Sequence, residues 1–182
     1  MGSIVQDLIL KTEIPDIALI WIGHNNMDWQ ADEVIFGEEY NHQMHSEILV
    51  KNYLENVMRL RDRGIKKIVC FGLINFSSFF KARNEASLVQ KKDRRRFRHF
   101  SKPTDIFISL RPEFQDNVVT LASAFNHLLE IEIEKLNFQE IIYSDCFSKM
   151  DIDVPTLHES DAWHFSNYGM SRLAKEVSKV LV

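Results

Sequence analysis

The sequence predicts an α/β fold, with a parallel sheet of three strands flanked by helices, and three observations predict it. The runs 17–22 and 68–74 are apolar nearly throughout, and 140–145 is apolar at its centre, Ile141-Ile142-Tyr143, as strands buried on both faces are. Between and after them lie segments whose apolar residues recur at helical spacing. The two kinds of segment alternate, the pattern of a sheet wound with crossover helices.

Taken in order, Ser3 can cap a short helix carrying Ile4, Val5, Leu8 and Ile9, which Pro15 ends. The first strand, 17–22, closes at Gly23. A helix over about 41–63 carries Ile48, Leu49, Tyr53, Val57 and Leu60 on one stripe, and Gly64 supplies its stop. The second strand, 68–74, follows Lys66 and Lys67. A helix over about 112–136 presents Phe114, Val118, Leu121, Phe125, Leu128 and Leu129 on one face and leads into the third strand. A terminal helix, 166–181, is expected to turn Met170, Leu173, Ala174, Val177 and Leu181 inward. The stretch 75–111 falls outside this rhythm and reads as an insertion or lid. Within it, Arg94, Arg95, Arg96 and Arg98 surround Phe97, either as a patch for an anionic partner or as a solvated surface.

A length of 182 residues suits one domain with a core of its own. The net charge of -4 sets up no general attraction to nucleic acid. Cys70 and Cys146 make no disulfide framework and are expected as free thiols in apolar surroundings. No run has the length of a membrane span, and the opening residues match neither a signal nor a transit peptide, so a cytoplasmic location is expected.

Two motifs carry candidate chemistry. The first, Trp21-Ile22-Gly23-His24-Asn25-Asn26, stands at the carboxyl end of the first strand, where open α/β sheets bind ligands. A side-chain amide there can donate to the negative charge that develops on a reacting carbonyl, worth about 3 kcal/mol per donor. The same residues could instead make an Asx turn. The second, from Ser160 to Gly169, places Asp161 three residues before His164, ahead of the last helix. An aspartate so placed can orient an imidazole that acts as general base, with Trp163 and Tyr168 sheltering it. Alternatively, Asp161 and Ser166 merely cap the helix. Glu39, His42 and His45 have a spacing that a metal could use, but such residues at a helix start are more often surface groups.

These two motifs, in this order and at these element ends, resemble blocks III and V of the SGNH (GDSL-type) serine hydrolases. The flanks Pro15-Asp16, Gly169 and Arg172-Leu173 are similar to that family as well. The resemblance implies a flavodoxin-like three-layer sandwich and hydrolysis of a small-molecule ester, of esterase or lipase type, without cofactor or metal. By it, Asn25 is the side-chain oxyanion donor, His164 the base and Asp161 its orienting partner. Gly2 stands for the block II glycine, and Gly2, Gly23 and Trp163 border the substrate. Asn26 stands where the family usually has Asp, a change also found in the group resembling platelet-activating-factor acetylhydrolases. The family's nucleophile lies in a Gly-Asp-Ser at the end of its first strand, and this sequence contains no Gly-Asp-Ser. Ser77 and Ser78 follow the second strand, but nothing in the pattern sets either against His164. The expectation is therefore an N-terminally incomplete domain, truncated to three strands and inactive alone. Its strand 17–22 becomes an apolar edge able to pair with a second copy. A non-catalytic binding or assembly module on the same scaffold is the other reading.

Overall fold

The computed structural model describes residues 14–24, 41–90, 111–157 and 164–181, with side chains at 87–90 excepted. Its sheet has three parallel strands in chain order: β1 (Ile17–Ile20), β2 (Lys67–Phe71) and β3 (Ile141–Ser144). Ile20 lies level with Cys70, and Cys70 with Tyr143. The helices are α1 (His42–Asp62), α2 (Phe76–Gln90), α3 (Pro112–Leu136), α4 (Cys146–Lys149) and α5 (Asn167–Leu181). A 3-10 turn, Val154–Thr156, precedes α5. The α/β class and the three-stranded parallel sheet with flanking helices are as the sequence predicts.

Helix α1 begins where the Asn41 side chain accepts the Met44 N–H, at 3.0 Å. It buries Leu49, Val50, Tyr53, Val57 and Leu60, one stripe at helical spacing. Gly64 ends it, its N–H bonded to the Arg61 carbonyl at 2.8 Å. Helix α3 starts with a proline in its first turn and stops at Asn137, which takes the left-handed conformation (φ 52°). The two helices pack along one another on one face of the sheet, where Tyr53 meets Phe125 ring to ring at 6.0 Å. The crossover helices α1 and α3 thus lie on one side of the sheet, as right-handed connections between successive neighbours require.

Side chains alternate along each strand, so the face is fixed by parity. Cys70 lies against Tyr53, on the α1 side, where burial pushes its thiol up to about 12. Phe71 points the other way and stacks on Phe147 of α4 at 4.7 Å. Helix α4 lies on that second face, and α5 packs against α4. By register, Ile17 and Leu19 share the face of Val69 and Phe71, yet they are 45% and 48% exposed. The run 17–22 is therefore not buried on both faces. Among the described residues β1 stands at an edge of the sheet.

Other details differ from the sequence reading. β1 ends at Ile20 and β2 at Phe71, so the last apolar residues of each run leave the ladder and turn along the rim. In α5, Leu173 is buried and Val177 packs on the core, while Met170 and Leu181 are 53% and 38% exposed and Ala174 faces solvent too. The apolar arc of that helix is wider than the surface on which it rests.

The largest departure is α2. Residues 76–90 of the presumed insertion are a helix whose Phe76, Phe79, Phe80, Ala82 and Ala86 are buried. The Asn84 and Gln115 side chains exchange hydrogen bonds of 3.0 and 3.1 Å, tying it to α3. The rest of that stretch, with the basic run 91–100, lies outside the described residues.

At the opposite end of the sheet from the strands' carboxyl termini, Arg61 bonds Glu140 at 2.8 Å and covers the Phe138 ring at 3.6 Å. No helix among the described residues is long and apolar enough to cross a membrane.

Candidate functional site

The site lies at the carboxyl rim of the sheet, where the segments leaving β1, β2 and β3 meet the segment entering α5. Trp21 is its hub. Its ring touches His24 edge-on at 4.8 Å, Phe147 at 4.6 Å and Phe165 at 6.3 Å. The turn after the first strand and the residue next to His164 are thereby side by side. The Trp21 Nε1–H is buried and has no hydrogen-bond partner among the described residues, a donor that burial makes costly to leave unpaired.

The turn after β1 is held from the turn after β2. Gly23 has φ +117°, a conformation open to glycine but strained for other residues. A Cβ there would also stand 3.3 Å from the Leu73 side chain. The Asn126 side chain, reaching over from α3, accepts the Leu73 N–H at 2.7 Å and donates to the Leu73 carbonyl at 3.2 Å. It pairs with that backbone as a neighbouring strand would. The next N–H, of Ile74, donates to His24 Nε2 at 3.4 Å. Burial lowers the His24 pKa to about 4, so its imidazole is neutral near pH 7. Asn75 then caps α2 by accepting the Ser78 N–H at 3.1 Å.

The segment before α5 is clamped at both of its described ends. Leu157 and Phe165 form an isolated antiparallel bridge, closing the connection that ends with His164. Ser166 accepts the Gly169 N–H at 3.1 Å and donates to the Pro155 carbonyl at 2.7 Å, the helix cap expected of it. Arg172 reaches back to the Thr156 hydroxyl at 3.1 Å and the Asp151 carbonyl at 2.8 Å. The Thr156 hydroxyl in turn donates to the Asp153 carboxylate. That bond, with Arg172 behind it, holds the Asp153 carboxyl below its ordinary range.

Of the residues singled out in the sequence, Gly23 is buried in the rim and His164 lies exposed beside Phe165. Gly2, Asn25, Asn26, Asp161 and Trp163 lie outside the described residues, as does Glu39. His42 and His45 stand in the first turn of α1. Among the described residues no three His, Cys, Asp or Glu side chains gather into a metal site.

Two serines near the rim are committed elsewhere. Ser78 Oγ donates to Asn75 O at 3.1 Å and accepts the Ile152 N–H at 3.0 Å, inside the core, and Ser166 is the cap of α5. Neither hydroxyl is placed for attack. Trp21 and His24 lie within the first motif with no role assigned to them there, and Asn126 lies outside both motifs. A separate groove of about 790 Å³ between α1 and α3 has Val50, Leu54, Met58 and Leu128 in its floor. It belongs to the outer helical layer rather than to the rim.

No family model, curated protein or solved structure matches this chain.

Proposed function

We propose that this chain carries most of a serine esterase of SGNH type, with His164 as general base, Asp161 as its orienting partner and the Asn25 amide as oxyanion donor. What supports the reading is one contact. Trp21 touches Phe165, so the turn leading to Asn25 and the residue adjoining His164 meet at the same rim. In the reaction a serine hydroxyl attacks the ester carbonyl and passes its proton to His164. The alcohol leaves with that proton, and water then releases the acid. The sequence holds no Gly-Asp-Ser, Ser78 and Ser166 are bonded elsewhere and Ser77 lies exposed on α2, so the chain alone is expected to turn over no ester.

The test compares hydrolysis of a short p-nitrophenyl ester by this chain and by a version extended with an N-terminal strand ending in Gly-Asp-Ser. Turnover is expected in the extended version alone, and His164→Ala abolishes it. Equal, His164-dependent turnover in the shorter chain means that another residue attacks. No turnover in either favours a non-catalytic binding or assembly module. The exposed Ile17 and Leu19 suit that second reading. It requires a stable oligomer through β1, and sedimentation of the same samples reads this directly.

A further inference from the structure

We infer that His24 is a further site residue whose Nδ1–H donates a hydrogen bond to a carboxylate or tetrahedral oxyanion bound at the rim of the sheet. The assignment of ligand class rests on the esterase reading. The donor assignment rests on geometry alone.

The first observation is the tautomer. His24 Nε2 accepts the Ile74 backbone N–H, and an accepting nitrogen of a neutral imidazole carries no proton. The proton therefore sits on Nδ1. The two ring nitrogens point away from each other across the ring, so Nδ1 faces away from Ile74. The second observation is the grip on the ring. Trp21 meets it edge-on at 4.8 Å and Phe76 lies 5.9 Å away at a tilt. Two aromatic neighbours and one backbone bond leave the imidazole little rotational freedom. Third, Nδ1 has no hydrogen-bond partner among the described residues, and the residue is only partly exposed. Burial keeps the ring neutral near pH 7, so the group offers a fixed dipole and no charge.

A neutral imidazole held in one tautomer suits oxyanion stabilisation. It donates to a developing negative charge without losing its proton to it, and without binding the acid product as an ion pair. The ring stands immediately before Asn25 in the chain and against Trp21, the hub of the rim.

The test uses the full chain and acetate, the simplest carboxylate product of an ester. Nitrogen-15 NMR of the histidine ring is expected to show a protonated Nδ1 and a bare Nε2, with titration only near pH 4. Acetate is expected to shift the Nδ1 resonance. His24→Asn keeps an N–H where Nδ1 stood, whereas His24→Gln keeps an acceptor where Nε2 stood. Acetate binding is expected to survive in His24→Asn and to weaken at least about tenfold in His24→Gln, the ratio for one hydrogen bond to a charged acceptor.

A ring protonated on Nε2, absence of acetate binding by the wild-type chain, or undiminished binding by His24→Gln overturns the proposal. Survival in His24→Gln with loss in His24→Asn assigns the ring a latch role toward Ile74 and overturns it too. The readout involves no turnover. If the extended protein fails to cleave esters while these results stand, only the esterase reading falls. If turnover is present and these results fail, only the donor role of His24 falls.

Discussion

Gly169 lies in the first turn of α5, where alanine would ordinarily favour the helix by about 1 kcal/mol. Here the sign is reversed by what surrounds it. A Cβ at this position would overlap the Thr156 carbonyl oxygen, and would lie 2.9 Å from Thr156 Cγ2 and 3.0 Å from Phe165 Cδ1. None of these neighbours can yield cheaply. The Thr156 carbonyl accepts the Ser166 N–H at 2.9 Å. Thr156 is fully buried, and its side chain is held by Asp153 and Arg172. Phe165 is fixed by its bridge to Leu157 and its contact with Trp21. Overpacking against such a wall costs about 1–3 kcal/mol. With a backbone oxygen in the way the upper end applies, and after subtracting the helix gain Gly169→Ala is expected to lose about 2 kcal/mol of stability. Urea unfolding followed by far-ultraviolet circular dichroism measures this, with an unchanged denaturant slope showing that only stability has moved. A variant as stable as the parent, or more so, refutes the reasoning. It would mean that α5 stands clear of the 3-10 turn and does not clamp the segment ending at His164.

His24 makes stability depend on pH in a stated direction. Its folded pKa of about 4 lies below the ordinary histidine value of 6.5, so as pH falls between these values the unfolded chain takes up a proton that the folded chain refuses. The contribution is intact above about 6.5, is lost progressively down to about 4, and is flat below. The whole shift is worth about 3 kcal/mol at 1.36 kcal/mol per unit. Between about pH 7 and about pH 4.5, wild-type unfolding free energy should therefore drop about 2 kcal/mol more than that of His24→Gln, and parallel pH profiles would remove the effect. Asn126→Asp keeps an acceptor for the Leu73 N–H but sets a second oxygen against the Leu73 carbonyl, to which Nδ2 now donates. A loss of about 1–3 kcal/mol at neutral pH is expected by urea titration. No change would mean that α3 does not pin the turn after β2.

The legible parts of the fold were those written in local chemistry. Helix α3 runs over Pro112–Leu136 as read, because a proline opens it, an unbroken apolar stripe runs through it and an asparagine able to turn left-handed ends it. Helix α1 was legible for similar reasons, with Asn41 and Gly64 at its ends. Helix α2 was not. Its buried phenylalanines are interleaved with Ser77, Ser78, Lys81 and Arg83, and its cap, Asn75, follows the apolar run of β2 with no break that marks a new element. The exposure of Ile17 and Leu19 was illegible for another reason, since an apolar run does not say which neighbours lie beyond it.

The site divides in the same way. The clamp around Ser166 is local, and the cap was foreseen. The setting of His24 depends on Ile74, and that of Leu73 on Asn126. Each pair meets only after the sheet has formed, so no spacing in the sequence announces it.

The register of the sheet also bears on how the chain reaches this state. Ile17 pairs with Lys67, and Ile68 with Ile141, so neither ladder is a hairpin and each pairing must wait for a long connection to close. The entropy of closing such loops is spent before any ladder bond repays it. Contacts close in sequence, within α1 and within α3, can form early, and the docking of these two helices shortens the effective distance between strands. Refolding kinetics should then be governed by the arrival of β1 and β3 at β2, placing this small domain among the slower-folding α/β chains rather than the fast helical ones.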